Sequence, residues 1–121
     1  MHELSVCQAL LQQVTEIARR EQACWVTRIR LRIGPLSGVV PELLTQAFSI
    51  AQAGTIAAQA ELQTEPQSIR VRCSRCGSES DATVNRLTCA VCGDFRTQLI
   101  SGDELLLVSV ELKRDEPVAA T

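Results

Sequence analysis

Two short stretches constrain this chain more than any others: Cys73-Ser-Arg-Cys76-Gly77 and, thirteen residues after Cys76, Cys89-Ala-Val-Cys92-Gly93. Each CxxC forms a tight knuckle that offers two thiolates to one ion, and two facing knuckles complete a tetrahedron. The glycine after each pair tolerates the positive φ such a turn needs and lets backbone N–H groups approach sulfur. Four protein ligands leave no open coordination position. Zn(II) held by Cys73, Cys76, Cys89 and Cys92 is therefore expected to be structural. Thiol redox chemistry at either pair, or a regulatory metal switch, are the functional alternatives.

The residues around the knuckles hold few large apolar side chains and cannot bury much surface unaided, so the ion supplies folding energy. Segment 67–102 thus reads as a small zinc-ribbon domain inserted into a larger one, which comprises 1–66 and 103–113. Residues 114–121 read as a flexible tail.

The larger part reads as α+β: a small three-stranded sheet packed with two helices. From Leu4 to about Glu21 the residues Leu4, Cys7, Leu11, Val14 and Ala18 recur at three- and four-residue spacing, widened by Leu10 and Ile17. That is a helix with one buried face. Ser5 and Gln8 fit a capping box, which leaves Met1 to Leu4 just outside the helix. Trp25 to Ile33 alternates strictly, with Trp25, Thr27, Ile29, Leu31 and Ile33 on the covered side and Val26, Arg28, Arg30 and Arg32 on the other. Gly34-Pro35 ends that strand. Pro41 opens a second helix, whose inner face is Leu44, Ala47, Phe48 and Ala51 within an apolar stripe from Leu43 to Ala53. Gly54 is its stop. Ala60 to Glu65 is a short strand with Leu62 inward. Leu105 to Leu112 is a third, in which Leu106, Val108, Val110 and Leu112 complete the sheet. Cys7 packs as a small apolar residue, and Cys24 lies in the turn before the first strand.

Composition narrows the function classes. The formal net charge is −2, whereas broad nucleic-acid binding needs a basic surface. The inserted segment carries five Arg against Glu79, Asp81 and Asp94, a balance of +2, which leaves −4 for the remainder. The first twenty residues lack the basic start and apolar middle of a signal peptide. No fully apolar run is longer than four residues, as in Leu105 to Val108, far short of a membrane span. The chain reads as cytoplasmic, and six cysteines in that compartment point to metal or redox chemistry before disulfides. The Arg28, Arg30, Arg32 stripe is either a docking surface for an acidic partner or, as favoured here, a solvated face paired with Glu61 and Glu65. No second His, phosphate loop or Ser-His-Asp set exists from which to build an enzyme.

The amino terminus reads Met1-His2-Glu3, and His2 is the only histidine of 121 residues. Methionine is retained when a bulky residue follows it, so the terminal amine is free. The amine and the His2 amide nitrogen close a five-membered ring on a metal; the His2 amide and imidazole Nδ1 close a six-membered one. Three such nitrogens suit Ni(II) or Cu(II), which prefer square-planar nitrogen ligands. The Glu3 amide or carboxylate, or a group from elsewhere, fills the fourth position. A solvated terminal histidine is the plain alternative.

With the start MHELSVCQALL, the middle IRLRIGPLSGVVPELLTQAF, the two CxxCG knuckles and the close GDELLLVSVEL, the chain resembles the HypA/HybF hydrogenase maturation proteins from residue 1 to about 112. The resemblance implies a cytosolic nickel metallochaperone that helps insert Ni(II) into [NiFe]-hydrogenase. It implies the GTPase HypB and the hydrogenase large subunit as partners, and a monomer or weak homodimer. It places nickel at Met1, His2 and Glu3, and zinc at Cys73, Cys76, Cys89 and Cys92. Some members carry an acid in the loop after the first strand; here GPLSGVVPE has none before Glu42. Two competing classes remain. A zinc-ribbon nucleic-acid module would rest on Arg70, Arg72 and Arg75 beside one knuckle, with only Phe95 to stack on bases. A structural adaptor would leave His2 dispensable.

Overall fold

The computed structural model describes residues 3–114. In chain order the elements are α1 (Glu3–Arg20), β1 (Trp25–Ile33), α2 (Pro41–Ala51), β2 (Glu61–Pro66), β3 (Ile69–Cys73), β4 (Glu79–Ala82), β5 (Thr97–Ser101) and β6 (Leu105–Lys113). The strands form two three-stranded sheets, β2-β1-β6 and β4-β3-β5. This is the expected α+β architecture with an inserted zinc-ribbon-like unit. The chain divides into two compact units: Met1–Leu31 with Val40–Thr64 and Leu107–Thr121, and Arg32–Val39 with Glu65–Leu106. Among the described residues no helix is long and apolar enough to cross a membrane.

In the first unit α1 packs on α2. Cys7, Val14, Ala18, Val26, Ile29, Leu31, Leu44, Phe48 and Ala57 are almost wholly buried. Each large apolar side chain so buried contributes about 1.5–3 kcal/mol. Helix α1 ends without glycine: Gln22 takes φ 58°, and Ala23 and Gln22 donate their N–H groups to the carbonyls of Ala18 and Arg19. These two bonds make a Schellman closure. As the chain advances from Cys24, just before β1, whose N–H donates to Lys113, to Thr27 within it, whose hydroxyl donates to the Glu111 carbonyl, its partners on β6 step backwards. The two strands are therefore antiparallel.

Several expectations need correction. Glu3 and Leu4 lie inside α1, so Ser5 is in its first turn and does not cap it. Leu4 is half exposed while Glu3 is buried, because the buried face continues from Cys7 back by four residues to Glu3. At the start of β1 the faces exchange: Val26 is buried and Trp25 and Thr27 are exposed. Val26 also donates its N–H to Ile56. On α2 only Leu44 and Phe48 are buried, and Leu43 and Ile50 point to solvent. Leu106 and Val108 of β6 are exposed as well. Of the tail, residues 115–121 lie outside the described residues, whereas Arg114 pairs with Glu21 at 3.7 Å.

The arginine stripe is settled by its neighbours. Arg28 meets Glu111 at 3.1 Å and Glu61 at 3.3 Å, and Arg32 meets Glu65 at 2.8 Å. Half-exposed pairs of this kind contribute about 0–1 kcal/mol each. They hold strands in register and leave little unpaired charge for docking.

Candidate metal centres

The second unit contains a sheet that the sequence reading did not assign. Ile69, Val71 and Cys73 of β3 are buried and alternate with Arg70 and Arg72, a period-two signal that was available in IRVRC. The acidic partners come from β4. In the antiparallel register Arg70 faces Asp81 and Arg72 faces Glu79, and both pairs form salt bridges.

Strand β3 delivers Cys73 directly into a cluster with Cys76, Cys89 and Cys92, whose sulfurs all lie within 4.8 Å of one another. Cys73 and Cys92 sulfurs are 3.6 Å apart, as are those of Cys76 and Cys89. A zinc–sulfur bond of about 2.3 Å gives a tetrahedron with an edge of ~3.8 Å. The donor set and its spacing fit one structural zinc ion.

The two knuckles repeat each other sixteen residues apart. The N–H groups of Arg75 and Cys76 point at the Cys73 sulfur from 3.3 and 3.4 Å. Those of Val91 and Cys92 point at the Cys89 sulfur from 3.3 Å each. Gly77 and Gly93 follow at φ 78° and 77° and donate back to the carbonyls of Cys73 and Cys89. Amide donors aimed at sulfur stabilise thiolate. The Cys76 and Arg75 amides, in that order, accordingly lower the Cys73 thiol. The Ser78 hydroxyl and then its backbone N–H bring the Cys76 thiol down to about 6.

Asp94 links the knuckles. Its side chain is only 4% exposed and meets Arg96 at 2.9 Å and Arg75, from the first knuckle, at 3.5 Å. The Arg96 side chain, then its backbone N–H, hold the Asp94 carboxyl well below the usual range. Four thiolates on a divalent ion leave a doubly negative centre, and Arg75 and Arg96 offset that charge from outside.

At the other candidate centre Glu3 is 8% exposed, and its carboxylate accepts the Val40 N–H at 3.4 Å. Met1 and His2 lie outside the described residues. Glu42, the first acid after β1, is exposed. Cys7 is buried, with its thiol 3.6 Å from the Leu44 carbonyl. Burial, and then the Glu3 charge, push that thiol up. Cys24 is exposed.

A family model described as "Hydrogenase/urease nickel incorporation, metallochaperone, hypA" matches residues 1–112. The chain is similar to the hydrogenase maturation factor HypA of Nitrosospira multiformis, 46% identical over 93% of this chain and 97% of the relative. It is also similar to that of Aquifex aeolicus, 42% identical over 95% of this chain and 100% of the relative. In fold it resembles the solution structure of the Ni metallochaperone HypA from Helicobacter pylori, with a TM-score of 0.71 and 24% identity over 95% of this chain and 100% of the other.

Proposed function

The chain belongs to the HypA family of nickel-incorporation metallochaperones, and from that premise we propose that it carries Ni(II) at its amino terminus and delivers it for maturation of [NiFe]-hydrogenase. The nickel-binding residues are Met1, His2 and Glu3: the amine, the His2 amide and the His2 imidazole supply nitrogen donors in one plane. Zinc is held by Cys73, Cys76, Cys89 and Cys92 and fixes the shape of the ribbon. Residues 1–66 with 103–113 form the nickel-binding domain and 67–102 the zinc domain. The partners are the GTPase HypB, which works with the carrier, and the hydrogenase large subunit, which receives the metal.

The observation that carries this reading is the match of residues 1–112 to a family described by nickel incorporation and metallochaperone function. A shallow terminal site suits cargo, because a closed cage releases its ion slowly and release sets the rate of transfer. Relatives are named maturation factors rather than enzymes, and four sulfurs on one ion leave no coordination position for a reacting water. The nucleic-acid alternative loses its support, since Arg70, Arg72 and Arg75 each have an acidic partner within the ribbon.

The test is a Ni(II) titration by calorimetry and absorbance on zinc-loaded protein with its native amino terminus, beside His2→Ala. One nickel per chain, lost in the variant while zinc stays at one per chain, is expected. Equal binding by both proteins overturns the terminal site and favours the adaptor reading.

A further inference from the structure

Helix α2 starts without a cap of its own. Its N-cap is Val40, whose side chain accepts no hydrogen bond, and Pro41 follows at the first helical position. In a capping box a Glu or Gln three residues after the N-cap reaches back to the N-cap N–H. Here that position is Leu43, which cannot accept. The missing acceptor comes from another helix: the Glu3 carboxylate of α1 takes the Val40 N–H at 3.4 Å.

This contact gives the buried carboxylate of α1 one of its partners. Glu3 lies one turn before Cys7 on the face that also buries Leu10, Leu11 and Val14. A carboxylate there needs hydrogen-bond partners, and the positive end of α2 favours its charge. One turn further along both helices, the Cys7 thiol meets the Leu44 carbonyl at 3.6 Å. Residues 3 and 7 of the chain thus match residues 40 and 44, a register of two contacts four residues apart on each helix.

We propose that Glu3 is a positioning residue: its side chain caps α2 through the Val40 N–H and thereby holds in a fixed place the first turn of α1, which follows directly in sequence on the nickel-binding Met1 and His2. The inference rests on the terminal nickel reading and assigns the Glu3 carboxylate to the helix and not to the metal. A chelate built from successive backbone nitrogens requires its segment to be ordered when the ion binds. Ordering it beforehand lowers that cost. Loss of the tether weakens nickel binding without changing which atoms ligate.

The experiment compares nickel affinity and the visible spectrum of the nickel-saturated, zinc-loaded full chain for the native protein, His2→Ala, Glu3→Ala, Glu3→Gln, Val40→Pro and the Glu3→Ala/Val40→Pro double variant. Val40 is extended at φ −93°, close to what proline accepts, and proline removes the donor without touching the terminus. Glu3→Ala is expected to weaken binding about tenfold, the usual scale of a lost cap, with the native spectrum kept. Glu3→Gln restores most of the loss, because its amide oxygen accepts the same N–H. Val40→Pro reproduces the weakening, and the double variant is no worse than either single one. If Glu3→Gln binds as poorly as Glu3→Ala and shifts the spectrum, the carboxylate is a nickel ligand and the proposal falls. If His2→Ala loses nickel while Glu3→Ala and Val40→Pro bind as the native chain does, the terminal site stands and the tether alone falls. Native binding by His2→Ala removes both. Should Val40→Pro fail to fold, the Glu3→Ala and Glu3→Gln comparison decides.

Discussion

A Cβ placed on Gly34 would stand 2.1 Å from the carbonyl oxygen of Gly102 and 2.3 Å from its carbonyl carbon. The two glycines meet backbone to backbone: the Gly34 N–H donates to Glu104, and the Gly102 carbonyl accepts from Leu36, each at 2.8 Å. Gly102 itself takes φ 120° and faces Ile69, where an added Cβ would lie 2.8 Å from a side-chain carbon. The IGP and GDE stretches are therefore two halves of one close crossing.

Gly34→Ala is expected to destabilise the protein by about 1–3 kcal/mol, the range for overpacking a tight contact. The obstructing atoms are backbone and cannot rotate away. Urea unfolding of the zinc-loaded variant measures the loss. A midpoint equal to that of the native chain would show that the crossing opens without cost.

Gln22→Gly is expected to stabilise. Gln22 holds φ 58° in the closure of α1, a conformation that costs a residue with a Cβ about 1–2 kcal/mol and glycine little. The greater freedom of glycine in the unfolded chain takes back part of that gain. A net gain of about 0.5–1 kcal/mol remains, visible as a Tm higher by a few degrees. A lower Tm would mean that the glutamine side chain contributes more than its backbone costs.

Ser78→Ala is expected to make zinc leave at higher pH. The Ser78 hydroxyl is the first cause that takes the Cys76 thiol from its ordinary value of 9.0 down to about 6. A thiol lowered on folding contributes stability that is complete above its ordinary value and is lost as pH falls through the folded value. In the metal-free ribbon that window runs from about 9 down to about 6. Zinc favours the same thiolate, so raising the pKa of Cys76 lets protons displace the ion sooner. A zinc indicator dye followed through an acid titration should report a higher release midpoint in Ser78→Ala. An unmoved midpoint would remove the hydroxyl from the account.

Cys24 and Cys7 should separate cleanly under a thiol reagent. In the native zinc-loaded protein Cys24 is exposed and Cys7 buried. Burial also pushes the Cys7 thiol up, further from the reactive thiolate. Peptide mapping after brief alkylation is expected to find label on Cys24 and none on Cys7, with Cys7 reacting only after denaturant is added. Early label on Cys7 would mean that α1 opens away from α2.

Much of this was legible locally. The sixteen-residue repeat of CxxCG brings four sulfurs to one place because a knuckle is a turn, and a turn depends on residues within a few positions of one another. Pro41 as the first residue of α2, the alternation of Ile29, Leu31 and Ile33, and the extent of β6 are local in the same way. The ribbon sheet was missed although IRVRC alternates: its strands are short, and β4 and β5 carry almost no apolar pattern. Arg70 and Arg72 looked like a basic patch until β4 placed Asp81 and Glu79 opposite them.

What the sequence by itself determined is which residues share a turn, a helix face or a strand face, because backbone geometry sets those periods regardless of surroundings. What only the tertiary structure decided is what lies against each face. Leu43 and Ile50 belong to an apolar stripe yet meet solvent, and Trp25 yields the covered side to Val26. Glu3, which the capping-box reading leaves just outside the helix, is inside α1 and buried against the uncapped start of α2. Burial and hydrogen bonding are made between residues far apart in the chain, and for Glu3 one such partner is the N–H of Val40, thirty-seven positions away.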